Sequence, residues 1–116
     1  MRALSAGTAT DMGVQGADWC LKHYNKLPEY YITVDKAKAL GWKQKKGNLA
    51  EVAPGCMIKK EYYNKDGILP DKPGRTWQEA DINYVGGKRN SERFFFSNDG
   101  LIFASYDHGK TFIEIR

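Results

Sequence analysis

Two periods divide the chain. Over residues 11–24, Val14, Ala17, Leu21 and Tyr24 recur at intervals of three and four, the single apolar stripe of a helix, with Trp19 and His23 off it. Pro28 ends that helix, because a proline disfavours helical geometry in the residue before it, here Leu27. Thr33 is a good N-cap, Asp35 falls in the first turn where the helix dipole favours a carboxylate, and Gly41 closes after Leu40. These signals mark a second helix of about two turns. Asn48 and Glu51 stand at capping-box spacing ahead of a Pro54-Gly55 stop, which predicts a third.

After Gly55 the period drops to two. Strand-like runs occupy 57–63, 76–83, 93–97, 101–106 and 111–116. Turn chemistry separates them: Asn64-Lys65-Asp66-Gly67, Gly86-Gly87, Asn98-Asp99-Gly100 and His108-Gly109. The last connections are short, so the strands they join must be antiparallel neighbours. Helices followed by an antiparallel sheet predict an α+β domain.

A chain of 116 residues holds one domain and one core. The reading is a flexible N-terminal segment over 1–10 and a single domain over 11–116. The hydrophobic fraction of 41% and charged fraction of 28% are those of an ordinary folded domain and exclude a disordered one. Net charge is +4 with a pI near 9.0, a balance that favours a polyanionic partner. No stretch approaches the roughly 20 apolar residues of a membrane span. Met1 to Gly7 has no apolar signal region. Cys20 and Cys56 sit neither in a CxxC nor at ligand spacing from His23 or His108, which argues against a metal site. Pairing or two free thiols both remain open for them.

Alternation then gathers candidate chemistry. Ala80 and Ile82 point to one face of the second strand and Glu79 and Asp81 to the other, so with Ala80 and Ile82 in the core the two carboxylates are expected together on an open face. Arg93 begins the next strand, Arg89 sits in the turn before it, and His108 lies in the last hairpin turn. A carboxylate that takes the proton of a ribose 2′-hydroxyl, an imidazolium that returns one to the leaving oxygen, and guanidinium groups matched to phosphate are the parts for metal-free phosphodiester cleavage.

Many blocks in one order carry a family resemblance. They are Lys26-Leu27-Pro28, Tyr31-Ile32-Thr33, Ala39-Leu40-Gly41-Trp42, Lys46-Gly47-Asn48-Leu49-Ala50 and Val52-Ala53-Pro54-Gly55, followed by Gly74-Arg75-Thr76-Trp77, Glu79-Ala80-Asp81-Ile82-Asn83-Tyr84, Arg89-Asn90-Ser91, Arg93, Asp107-His108 and Thr111-Phe112. From about Trp19 to Arg116 the chain resembles the barnase/binase-type guanyl-preferring bacterial ribonucleases. The resemblance implies three N-terminal helices packed on a five-stranded antiparallel sheet. It implies Glu79 as general base, His108 as general acid, Arg89 and Arg93 as phosphate-binding arginines, and Asp81 as the acid that holds them. The implied reaction is cleavage of single-stranded RNA after guanine through a 2′,3′-cyclic phosphate, without cofactor or metal. Tyr63-Asn64-Lys65-Asp66-Gly67 matches the family's guanine-reading loop, one residue shorter, with Lys65 for Arg and Asp66 for Glu.

Two departures bear on rate. Val34 stands where the barnase branch has an active-site lysine, and Gly109 replaces the aromatic that usually follows the histidine. Lys36, Lys38, Lys59 and Lys88 are candidate replacements for that cation, Lys88 foremost because it adjoins Arg89. The alternative outcome is a catalytically weakened, nuclease-like RNA-binding module. The resemblance further implies a monomer, secreted or delivered to a target cell as a toxin, and restrained by an acidic, barstar-like inhibitor.

Overall fold

The computed structural model describes residues 3–13 and 16–116, and Val14 of the predicted helical stripe lies outside them. Helix α1 (Ala17–Tyr24) starts later than the apolar pattern implies. Gly13 has a left-handed φ of 58°, and at Gly16 a Cβ would lie 2.2 Å from the Thr10 hydroxyl oxygen. Ala17 and Leu21 of the stripe are buried, whereas Tyr24 is exposed. The first turn buries Asp18, whose Oδ2 accepts the amides of Gly7 at 2.6 Å and Ala9 at 3.0 Å. Strand β1 (Ala3–Leu4) precedes this cap and runs parallel to the C-terminal strand. Their link is closed by Arg116 N donating to Leu4 O at 2.8 Å and Ala6 N to Arg116 O at 2.7 Å.

Local signals place the second helix as read. The Thr33 hydroxyl accepts the Lys36 amide at 3.2 Å and caps α2 (Val34–Ala39), and Gly41 follows at φ 109°. The capping box predicted at Asn48 does not form. Its Oδ1 accepts the Lys43 amide at 2.8 Å and its Nδ2 donates to Gly41 O at 3.1 Å, so the side chain laces a 3-10 turn (Gln44–Lys46) to the end of α2. Short polar side chains satisfy whichever backbone groups lie nearest. Helix α3 (Leu49–Val52) therefore begins without a side-chain cap.

Strands β3 (Met57–Tyr62), β4 (Trp77–Asp81), β5 (Arg93–Ser97), β6 (Ile102–Ser105) and β7 (Ile113–Ile115) form the expected antiparallel series. Among the described residues two short strands extend it to seven. β1 lies at one edge and β2 (Tyr31–Thr33) at the other, parallel to β3, giving the order β1-β7-β6-β5-β4-β3-β2.

Apolar side chains fill both sheet faces. Ala80, Phe94 and Ala104 align across β4, β5 and β6 beneath Ala17 and Leu21 of α1. Leu49 and Trp42 pack with Ile58 at the β3 end. On the face away from α1, Leu69, Trp77, Phe95 and Phe103 form a third cluster. Full burial of Leu49, Ile58 and Phe94 contributes roughly 1.5–3 kcal/mol each. That third cluster occupies part of the face expected to be open and leaves a cleft beside it.

Candidate active site

Strand register determines which side chains meet. Glu79 on β4 lies opposite Lys60 on β3 and Phe95 on β5, while Asp81 lies opposite Arg93, which lies opposite Ser105 on β6. The residues between them (Ala80, Phe94 and Ala104) fill the core under α1, so this set points the other way. A cleft of about 530 Å³ opens there, and its walls include Glu79, Arg89, Arg93, His108, Asp66 and Lys88. All four side chains named for the chemistry thus border one space.

Asp81 lies at the floor of this group, fully buried. It accepts Arg89 Nε at 2.8 Å and Arg89 Nη2 at 2.5 Å, and its Oδ1 is 3.1 Å from Arg93 Nε. Arg93 is held further by Nη1, which donates to Asn90 Oδ1 at 3.0 Å and to Glu92 O at 2.8 Å. Alternation put Asp81 on an open face beside Glu79; the facing is right and the openness is not. Two guanidinium groups cover the carboxylate, and they offset a desolvation cost of several kcal/mol. Burial lowers the Arg93 pKa from its ordinary value. Burial opposes charge at Arg89 too, but hydrogen bonds and charge from Asp81 outweigh it and raise its pKa. Both remain cations.

Glu79 keeps more freedom. Its side chain is 13% exposed, and Oε1 is 3.1 Å from the Lys60 ammonium. Glu79 lies opposite Phe95 on β5, and both line the cleft.

His108 projects from the β6–β7 turn, exposed, at a left-handed φ of 65° that a non-glycine residue rarely adopts. The surrounding turn over-determines that conformation. His108 N donates to Ser91 O at 2.9 Å, and Gly109 N donates to Ser105 Oγ at 2.8 Å. Asp107 binds the Thr111 hydroxyl at 2.5 Å, the Thr111 amide at 2.9 Å, the Ser105 hydroxyl at 2.9 Å and the Lys110 amide at 3.1 Å. These donors, the Thr111 hydroxyl foremost, hold the Asp107 carboxyl down at about 2. Sequence reasoning gave Asp107 and Ser105 no part in the site. An Asp ahead of glycine and threonine in a turn was the available signal.

The predicted base-reading loop divides. Asp66 lines the cleft, whereas Tyr63, Asn64 and Lys65 line a neighbouring cavity of about 470 Å³ with Arg75 and Trp77. Asn64 closes the loop on itself, its Nδ2 donating to Leu69 O at 2.8 Å and its Oδ1 accepting the Leu69 amide at 3.3 Å. The Tyr63 hydroxyl donates to Glu61 Oε2 at 2.9 Å. Tyr62, not singled out beforehand, is the tyrosine in the cleft, edge-on to Phe95 with centroids 4.7 Å apart. Burial, then the charges of Asp66 and Glu79, push its phenol pKa up.

Of the lysines considered as replacements near the phosphate, Lys88 borders the cleft. Lys36, Lys38 and Lys59 do not, and Lys59 lies opposite Ala80 on the other face. His23 stacks on Trp19, with centroids 3.8 Å apart. Cys20 and Cys56 are free, half-buried thiols.

The cleft therefore combines a carboxylate with an exposed imidazole and a row of cations, an arrangement that can bind a phosphodiester and move protons on either side of it. Comparison with known proteins points the same way. A family profile described as ribonuclease matches residues 15–116. A ribonuclease of Heyndrickxia coagulans is 52% identical over 101 residues, covering 86% of this chain and 92% of its own. Ribonucleases of Bacillus intermedius and Bacillus pumilus are each 52% identical over 101 residues, and the match spans 62% of their lengths.

Proposed function

The chain belongs to the ribonuclease family, and from that premise we propose that it is an endoribonuclease using Glu79 and His108 as base and acid on one scissile phosphate. The 2′-hydroxyl gives its proton to Glu79 and its oxygen attacks phosphorus. The bond to the 5′-oxygen breaks as His108 protonates that oxygen, leaving a 2′,3′-cyclic phosphate. Arg89 and Arg93 stabilise the charge that grows on the phosphoryl oxygens. Their attachment to Asp81 fixes them before substrate arrives, so little reorganisation is needed during reaction.

The carrying observation is that Glu79, His108, Arg89 and Arg93 border the same cleft, whose volume of about 530 Å³ suits a nucleotide. RNA is the substrate and DNA is not, because the nucleophile is the 2′-hydroxyl. We assign guanine preference to Asp66, whose carboxylate on the cleft wall can accept from the N1–H and N2 amino edge of that base. Lys88, which also lines the cleft, binds phosphate. Tyr63, Asn64 and Lys65 shape the loop that presents Asp66.

Such an enzyme endangers the RNA of the cell that makes it. We infer a monomer that is exported or delivered to a target cell, and an acidic barstar-like inhibitor that covers the basic cleft. The test is incubation with a GpN dinucleotide in EDTA. Guanosine 2′,3′-cyclic phosphate is the expected product. Product only after metal is added, or RNA binding without product, contradicts the assignment.

A further inference from the structure

The cations of the cleft are not equivalent. Arg89 and Arg93 both bind Asp81 at the floor. Asp81 therefore cancels one of their two charges before any phosphate enters. Lys60 has a different partner. Its ammonium lies 3.1 Å from Glu79 Oε1, on the carboxylate assigned as base, and its side chain is 47% exposed against 13% for Glu79. The two residues are direct cross-strand partners of β3 and β4, a register that the rest of the sheet holds in place. Lys60 thus stands at the mouth of the cleft, tied to the group whose charge changes during reaction.

We propose that Lys60 is a catalytic residue: its ammonium pairs with Glu79 in the resting enzyme and turns, still protonated, to pair with the phosphoryl oxygens as the reaction proceeds. This rests on the ribonuclease reading above. Before reaction Glu79 carries −1 and Lys60 +1. When the 2′-hydroxyl proton moves to Glu79, that carboxyl becomes neutral and the negative charge passes through the attacking oxygen to the phosphorane. The phosphate, already −1 in the bound substrate, gains a second charge in the phosphorane, so Lys60 loses its first counter-ion as a more highly charged one builds in the cleft it lines. The proton later released to the 5′-oxygen comes from His108, so Lys60 keeps its own three protons and acts by charge alone. The pair with Glu79 is given up as a stronger pairing with the doubly charged phosphorane forms, and this excess of transition-state over ground-state interaction raises kcat and leaves KM little changed. Its half-exposed position implies an effect below the 10²–10³-fold typical of a fully enclosed donor, on the order of tenfold.

Lys59 is the built-in control. It is adjacent in sequence, carries the same charge, and lies opposite Ala80 on the face under α1. The experiment compares wild type, Lys60→Met, Lys60→Arg and Lys59→Met on a GpN dinucleotide and on a long single-stranded RNA. Lys60→Met is expected to lose about tenfold in kcat on both substrates, with KM within twofold and the melting temperature unchanged. Lys60→Arg should keep most of the rate, and Lys59→Met all of it. Wild-type kcat in Lys60→Met overturns the proposal. So does a loss confined to KM on long RNA and erased by salt, which would make Lys60 only a steering charge. Absence of product from wild type overturns the ribonuclease reading itself, and this proposal with it.

Discussion

Glu79 and Asp81 stand two residues apart on one face of β4, yet the first borders the cleft with a lysine at 3.1 Å and the second is sealed beneath two arginines. The difference comes from their neighbours across the sheet. Asp81 meets Arg93 in register and is reached by Arg89 from the loop, whereas Glu79 meets Phe95 and Lys60. One carboxylate is thereby a fixed anchor and the other stays open to the cleft.

The anchor role has a stability consequence. Asp81→Ala leaves two buried guanidinium groups without their counter-charge and is expected to cost about 3–5 kcal/mol. That corresponds to a fall in melting temperature of roughly 12–20 °C for a chain of this size. Thermal unfolding followed by circular dichroism measures it. A loss under about 1 kcal/mol would mean that Asp81 does not hold the arginines.

Asp107 tests the support of the histidine turn. Asp107→Ala removes the acceptor shared by Ser105, Lys110 and Thr111 and loosens the backbone that holds His108 at φ 65°. The expected result is a kcat lowered by about ten- to a hundredfold with KM nearly unchanged, since a misplacement of about 1 Å suffices for such a loss. An unchanged kcat would show that the turn positions His108 without Asp107.

The same carboxylate sets an acid limit. Its pKa is depressed from an ordinary 3.8 to about 2, so the stability it contributes is fully present above pH 4 and is lost as pH falls through 2. The difference in urea midpoint between wild type and Asp107→Ala should therefore be constant above pH 4 and shrink below it. A difference that persists at pH 2 would contradict the hydrogen-bonded turn.

How much of this was legible in the sequence depends on how local each signal is. Helix α2 was readable because Thr33, Asp35 and Gly41 act within a few residues of one another. The start of α1 was not, because Asp18 is buried by Gly7 and Ala9 folding back onto it, an event no helical period reports. Strands β1 and β2 span two and three residues, too short to show alternation, and exist through their partners β7 and β3. In the cleft, alternation revealed that Glu79 and Asp81 share a face but carried no information on depth. Lys59 was among the candidate cations and Lys60 was not, because which of the two faces Glu79 is set by the register of β3 against β4, a property of the pair of strands. For the same reason Tyr62, rather than Tyr63, is the tyrosine that reaches the cleft.

Salt distinguishes polymer binding from chemistry. Each phosphate contact on a single strand contributes roughly −0.7 to the slope of log affinity against log salt. For long RNA, kcat/KM should fall steeply from 50 to 200 mM salt, while kcat at saturation changes little. A salt-independent kcat/KM on long RNA would remove phosphate contacts from the account.

The most direct test of the central claim is the pH dependence of kcat/KM on a GpN dinucleotide in EDTA, for wild type, Glu79→Gln and His108→Ala. Wild type should give a bell, because one group must be ionised and the other protonated. Glu79→Gln should lose the acidic limb and His108→Ala the alkaline limb, each with a rate lowered by about 10²–10⁴. A bell with both limbs intact in either variant would contradict the claim that these two side chains serve one phosphate.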